Sequence, residues 1–141
     1  MTHQRIRLAA DVYADTDAVC SVTIGVARRQ RVFCDPRLAT ETATIAKAHA
    51  AKTGVFLLCY CIMPDHMHMI ITPSSSCDIG KYVSGVKSLW TRAAWGHGIL
   101  GTFWQKSFWD HFVRSEDAKN DAIHYVMNNP VRAGLVRPGE V

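Results

Sequence analysis

No uninterrupted apolar run in these 141 residues approaches the roughly 20 positions that a membrane-spanning helix requires. The opening stretch, MTHQRIRLAADVYADTD, is charged and has no apolar centre of the export-signal type. The five cysteines are an odd number, so a disulfide framework is not expected, and reduced thiols in a cytoplasm are. There is no internal repeat and no linker-like tract, and PSSS at 73–76 reads only as a loop. A single domain over 1–141 is the expectation. Charge of one sign is also scarce: 16 Lys+Arg against 12 Asp+Glu leave +4, which permits a nucleic-acid partner without demanding one.

What is present is organised. Arg28, Arg29 and Arg31 cluster, and residues 81–100 carry Lys81, Lys87 and Arg92 with no acid. Val19 to Val26 is rich in β-branched residues and reads as a strand. Asp35-Pro36 opens an alanine-rich helix that runs to about Lys52 and stops at Gly54. VFLLCYCI, residues 55–62, is apolar on both alternating faces, which suits an interior strand covered on both sides. Met63-Pro64-Asp65 makes a tight turn into HMHMIIT, 66–72, a second strand pairing as an antiparallel hairpin. Residues 78–95 read as a helix, 102–113 as strand or extended chain, and Ser115 caps a helix that must stop near Pro130. Strand, helix, strand, strand, helix, strand, helix is the order of a ferredoxin-like split βαβ fold, an α+β antiparallel sheet with one extra helix.

His66-Met67-His68 is the sharpest chemical feature. Positions two apart in a strand share a face, so both imidazoles leave the sheet on one side and could ligate one metal ion. Met67, Met69 and Ile71 would then pack on the other side. The pair also fits two solvated histidines beside a turn. In the last helix, at about 100° per residue, Ala118, Ala122 and Val126 share a face with Tyr125 at its edge. Asn129 follows Tyr125 by four and neighbours it if the helix persists. Taken alone, Tyr125 is more simply a half-buried aromatic with its hydroxyl at the rim. A phenol, with a pKa near 10, is a poor nucleophile at neutral pH. It becomes useful against a phosphodiester polarised by a metal ion. The product, a phosphotyrosyl bond, conserves the energy of the broken linkage and permits rejoining.

CIMPDHMHMIITP (61–73), KYVSGVKSLWTR (81–92) and FWQKSFWDHFVRSEDAKNDAIHYVMNNPVRAGLV (103–136) occur in that order. Together they resemble the REP-associated tyrosine transposases, single-tyrosine members of the HUH superfamily (histidine, bulky hydrophobic residue, histidine). The resemblance covers roughly residues 55–136. It implies a ferredoxin-like fold and a transposase acting on single-stranded DNA with foldback hairpins, at the nucleoid. It implies that His66 and His68 hold Mg²⁺ or Mn²⁺, with Asn129 as a third ligand. Tyr125 would become joined to the 5′ phosphate, leaving a free 3′ hydroxyl. Dimers are common in the wider superfamily, so a homodimer is among the expectations.

Lys87, Arg92, Lys106, Arg28 and Arg29 are candidates for phosphate contact, and solvated helix faces or loops explain them as well. Trp104, Phe108, Trp109 and Phe112 could stack unpaired bases, with core packing the simpler role for most. Cys59 and Cys61 with His66 and His68 spell a CxCx4HxH zinc pattern, but both cysteines sit among apolar neighbours where thiols act as small core residues. A replication initiator would use the same chemistry, yet its usual extra domains do not fit this length. The non-enzyme rival is a ferredoxin-like nucleic-acid-binding module.

Overall fold

The computed structural model describes residues 18–101, 103–113 and 115–128. Four strands, β1 (Val19–Gly25), β2 (Phe56–Met63), β3 (His66–Thr72) and β4 (Trp109–Val113), form one antiparallel sheet in the order β2-β3-β1-β4. The described helices are α1 (Pro36–Thr53), α2 (Ile79–Trp95) and α3 (Glu116–Met127). This is the ferredoxin-like arrangement with one added helix.

Local chemistry sets the helix ends. The Asp35 carboxylate accepts from the Arg37 amide, with Pro36 at the first helical position. Gly54, at φ 81°, closes α1 in the left-handed region that glycine adopts without steric cost. Asp78 and Ser115 cap α2 and α3 in the same way, accepting from the Lys81 and Ala118 amides.

Alternation then divides the sheet into two faces. Cys20, Val22 and Ile24 of β1 and Met67, Met69 and Ile71 of β3 point toward α1 and α2, as expected for the odd positions of β3. Trp90 and Tyr82 of α2 are fully buried there, and each is tied to α1 by a hydrogen bond, Nε1 to Thr42 O at 2.9 Å and Oη to Ala46 O at 2.7 Å. Burying side chains of this size contributes roughly 1.5–3 kcal/mol each. On the opposite face α3 covers a smaller cluster, in which Cys61, Met63, Ile70 and Val126 are buried against Ala122 and Ile123. Val126 and Ala122 thus lie on the buried side of α3, whereas Ala118 is exposed.

Two expectations are corrected. Residues 55–62 are not an interior strand: β2 is the edge of the sheet, with Phe56 67% exposed. Its two-sided apolar pattern instead reflects helices packed over both of its faces, α1 on one and α3 on the other. Residues 102–113 are not one extended strand either, since only Trp109–Val113 pairs as β4. Ahead of it Trp104 makes an isolated bridge with Val26 and buries its ring against Phe33, Trp90 and Phe103.

Candidate active site

The β1–β3 register places Thr23 opposite His68 and Gly25 opposite His66, on the face that α3 only partly covers. His66 Nδ1 lies 2.6 Å from Asp65 Oδ1, and His68 Nδ1 lies 2.8 Å from Thr23 Oγ1. The two Nε2 atoms approach to 3.0 Å. Adjacent ligands on an octahedral ion with bonds of about 2.1 Å stand about that far apart. When both Nδ1 atoms donate to their oxygens, both Nε2 lone pairs face one point. That tautomer is the one a bridging divalent cation needs. Two imidazoles completed by oxygen fit Mn²⁺ better than Mg²⁺, whose preference is for oxygen throughout.

Asp65 is itself braced. Its Oδ2 accepts from Arg29 Nε at 2.8 Å. Burial raises the carboxyl, but the hydrogen bonds from His66 and Arg29, with the Arg29 charge, outweigh it and hold Asp65 below the ordinary 3.8. The ionised carboxylate favours a proton on His66 Nδ1. Arg29 stands in a single 3-10 turn, Ala27–Arg29, where Arg28 and Arg29 adopt φ 58° and 56°. Such conformations cost non-glycine residues about 1 kcal/mol or more each. Backbone bonds from Val26 N to Asp65 O (2.9 Å) and from Ala27 N to Phe103 O (2.6 Å) hold the turn against the site.

Tyr125 projects from α3, 54% exposed, with its ring centroid 6.4 Å from that of His68 and the ring planes at 86°. The phenol and the imidazole pair therefore border the same open space. Val126, next in sequence, is fully buried and anchors this turn of α3 to the sheet. Asn129 lies outside the described residues.

The zinc pattern does not assemble. Cys61 faces His68 across the β2–β3 ladder, but burial, with some help from Cys59, pushes its thiol up to about 11, and it packs with Met63, Ile70 and Val126. Among the described residues no three His, Cys, Asp or Glu side chains come together as a metal site.

The basic candidates fall in two places. Arg29 is beside the histidines, committed to Asp65, and Arg28 is exposed in the same 3-10 turn. Lys87, Arg92 and Lys106 line a groove of about 390 Å³ beside α2, together with Thr91, Trp95 and Gln105. Lys87 Nζ also donates to Gln105 O (2.8 Å) and Ser107 O (3.3 Å), so it fastens α2 to the chain that leads into β4. Of the aromatics, Trp104 and Phe108 are buried, Phe112 packs against the core, and Trp109 is 41% exposed.

Thr23, Asp65 and Gln105 were not legible as site residues. Asp65 reads as a turn residue, and only the register discloses Thr23. Proximity of Asp65 to the HMH triplet is the one signal that could have been used.

A family model described as "Transposase IS200 like" matches residues 17–129. The chain is 31% identical over 77 residues to the "REP-associated tyrosine transposase" of Escherichia coli (strain K12), covering 54% of this chain and 44% of that protein. A relative from Haemophilus influenzae is 26% identical over 91 residues, covering 54% of this chain and 49% of its own length. The chain thus spans about half the length of the curated relatives it matches. A solved structure of a REP-associated tyrosine transposase bound to a REP hairpin superposes with a TM-score of 0.74 at 21% identity, covering 97% of this chain and 77% of that one. At that identity the likeness concerns the fold. Among the described residues no helix is long and apolar enough to cross a membrane. With its family match running from just before the first strand through the tyrosine helix, the chain belongs to the IS200-like transposase family.

Proposed function

We propose that this chain is a DNA strand transferase that cuts and rejoins single-stranded, hairpin-containing DNA through a 5′-phosphotyrosine intermediate. The observation that carries the reading is the meeting of Tyr125 with His66 and His68: converging Nε2 atoms 3.0 Å apart and the phenol ring 6.4 Å from the nearer imidazole. A transposase reading agrees with the family. Hairpin DNA as the substrate class is supported by the REP hairpin bound to the structural neighbour.

His66 and His68 would hold Mn²⁺ or Mg²⁺, with Asn129 as the proposed third ligand. Bound there, the ion supplies Lewis-acid polarisation of a non-bridging phosphate oxygen. By accepting from Nδ1 of each ring, Asp65 and Thr23 would keep the two imidazoles in the ligating tautomer. Tyr125 Oη attacks phosphorus. The Oη–P bond forms, the P–O3′ bond breaks, the phenolic proton passes to solvent, and the departing 3′ oxygen takes one up. The 5′ phosphate is then an ester of Tyr125. Attack by a 3′ hydroxyl reverses the step and releases the phenol without any nucleotide cofactor. Arg92 and Lys106, on the α2 groove, and Arg28, exposed in the turn that carries Arg29, would neutralise backbone phosphates along the strand. Their contribution should make binding fall steeply with salt.

The test is incubation of the chain with a panel of labelled hairpin oligonucleotides in Mn²⁺. A covalent protein–DNA adduct should form, vanish with Tyr125→Phe and be suppressed by His66→Ala, while Tyr125→Phe still binds DNA. Wild-type chain that binds hairpins yet yields no adduct across the panel would leave the nucleic-acid-binding module as the correct reading.

A further inference from the structure

Gly25 is a β1 residue with ordinary strand conformation, directly opposite His66. It points to the same face as Thr23, two residues before it, whose hydroxyl meets His68 on that face. Nothing in its backbone calls for glycine, and the reason lies on its other side. Gln105 is fixed beside it by a bond from Gln105 N to Gly25 O (2.9 Å) and by the neighbouring Val26–Trp104 bridge. The Gln105 side chain folds back over Gly25. A β-carbon there would stand 2.7 Å from Gln105 Oε1 and 2.8 Å from Cδ, so the flexible end of Gln105 would have to swing away from Gly25 to make room. His66, Gly25 and Gln105 thus form one row across the sheet, and the missing side chain in the middle lets the amide reach toward the imidazole. Opposed strand positions have β-carbons about 5 Å apart, so the amide lies on the same patch as His66. Gln105 Nε2 is directed at Val26 O (3.5 Å), and Oε1 is the amide atom nearest the Gly25 position, at 2.7 Å against 3.1 Å for Nε2. This also accounts for the burial of Gly25, which is otherwise on the open face.

We propose that Gln105 is a positioning residue for the divalent ion held by His66 and His68, its Oε1 accepting a hydrogen bond from a water on that ion, and that Gly25 exists to admit it. The inference rests on the metal-dependent reading above. Gln105 also lines the α2 groove.

Mn²⁺ binding to the metal-free 141-residue chain tests it, by calorimetry and by the electron paramagnetic resonance of free Mn²⁺, with no DNA present. Gln105→Leu, similar in size but without the oxygen, should raise the Kd about tenfold, within the range that outer-shell partners command. Gln105→Glu, which keeps an acceptor oxygen, should restore wild-type affinity or tighten it. Gly25→Ala should weaken Mn²⁺ as much as Gln105→Leu does, and the two together no more than either. Melting in EDTA should be the same for Gln105→Leu and wild type. Should Gly25→Ala fail to fold, the Gln105 pair of variants decides alone. Wild-type affinity in Gln105→Leu, measured where the wild type binds one Mn²⁺, would overturn the inference and leave the metal reading standing. A wild-type chain that binds no Mn²⁺ would overturn both.

Discussion

The two faces of the sheet are built on opposite terms. Toward α1 and α2 the side chains are apolar and enclosed, and the polar atoms of Trp90 and Tyr82 find backbone carbonyls. Toward α3 a row of polar groups, Thr23, Asp65, His66 and His68, is held by the Thr23–His68 and Asp65–His66 hydrogen bonds and left partly open. Both faces come from the same strands by alternation, so a single strand such as β3 supplies Met67 and Met69 to one and His66 and His68 to the other. Packing fixes the first face and the α3-covered part of the second, whereas directed bonds fix the polar row. Stability should therefore be sensitive to changes on one face and ligand chemistry to changes on the other.

The sharpest way to break that contrast is on the enclosed side. Trp90→Ala removes a fully buried ring, its bond to Thr42 and its contact with the Trp104 ring. It should cost about 3–5 kcal/mol in urea unfolding, and a loss below about 1 kcal/mol would show that the α1–α2 face is not the stabilising one. On the open side, Thr23→Val keeps the shape and removes the oxygen beside His68 Nδ1. Mn²⁺ affinity should fall about 10- to 100-fold, with unfolding in EDTA little changed. Loss of stability without loss of affinity would invert the contrast.

How much of this could be read from the sequence follows the same division. The α1 span, the 55–72 hairpin and the helix cap at Ser115 are local, written in proline, glycine, capping residues and alternation. His66, His68 and Tyr125 were legible as chemistry because strand period and family resemblance converge on them. The edge position of β2 was not, because two-sided apolarity reports which faces are covered and says nothing of ladder neighbours. Nor was the bracing of the histidines, because Thr23 and Arg29 meet His68 and Asp65 only through the β1–β3 register and a left-handed turn. Lys87, a candidate for phosphate contact, also donates to two carbonyls that no pattern in the sequence connects to it.

Smaller effects sharpen the picture. Asp78→Ala removes the acceptor for the Lys81 amide (2.7 Å) and should destabilise by about 1 kcal/mol without changing Mn²⁺ affinity. Thiol labelling should separate Cys34, which is exposed, from Cys61, whose burial pushes its thiol up to about 11. At pH 8 iodoacetamide should reach Cys34 first. Because Cys61 is protonated below its raised value, its labelling in the folded chain should rise only as pH climbs toward that value. Rapid labelling of Cys61 at pH 8 would place it outside the α3-covered cluster.

The central claim is that the phenol of Tyr125 and the imidazole pair act on one phosphodiester. Peptide mapping by mass spectrometry of chain trapped with hairpin DNA in Mn²⁺ addresses it most directly. The account predicts a single modified peptide, linked at Tyr125 to the 5′ phosphate of the downstream fragment, with a free 3′ hydroxyl on the other. Linkage at any other side chain, or cleavage with no protein-bound product, would contradict it.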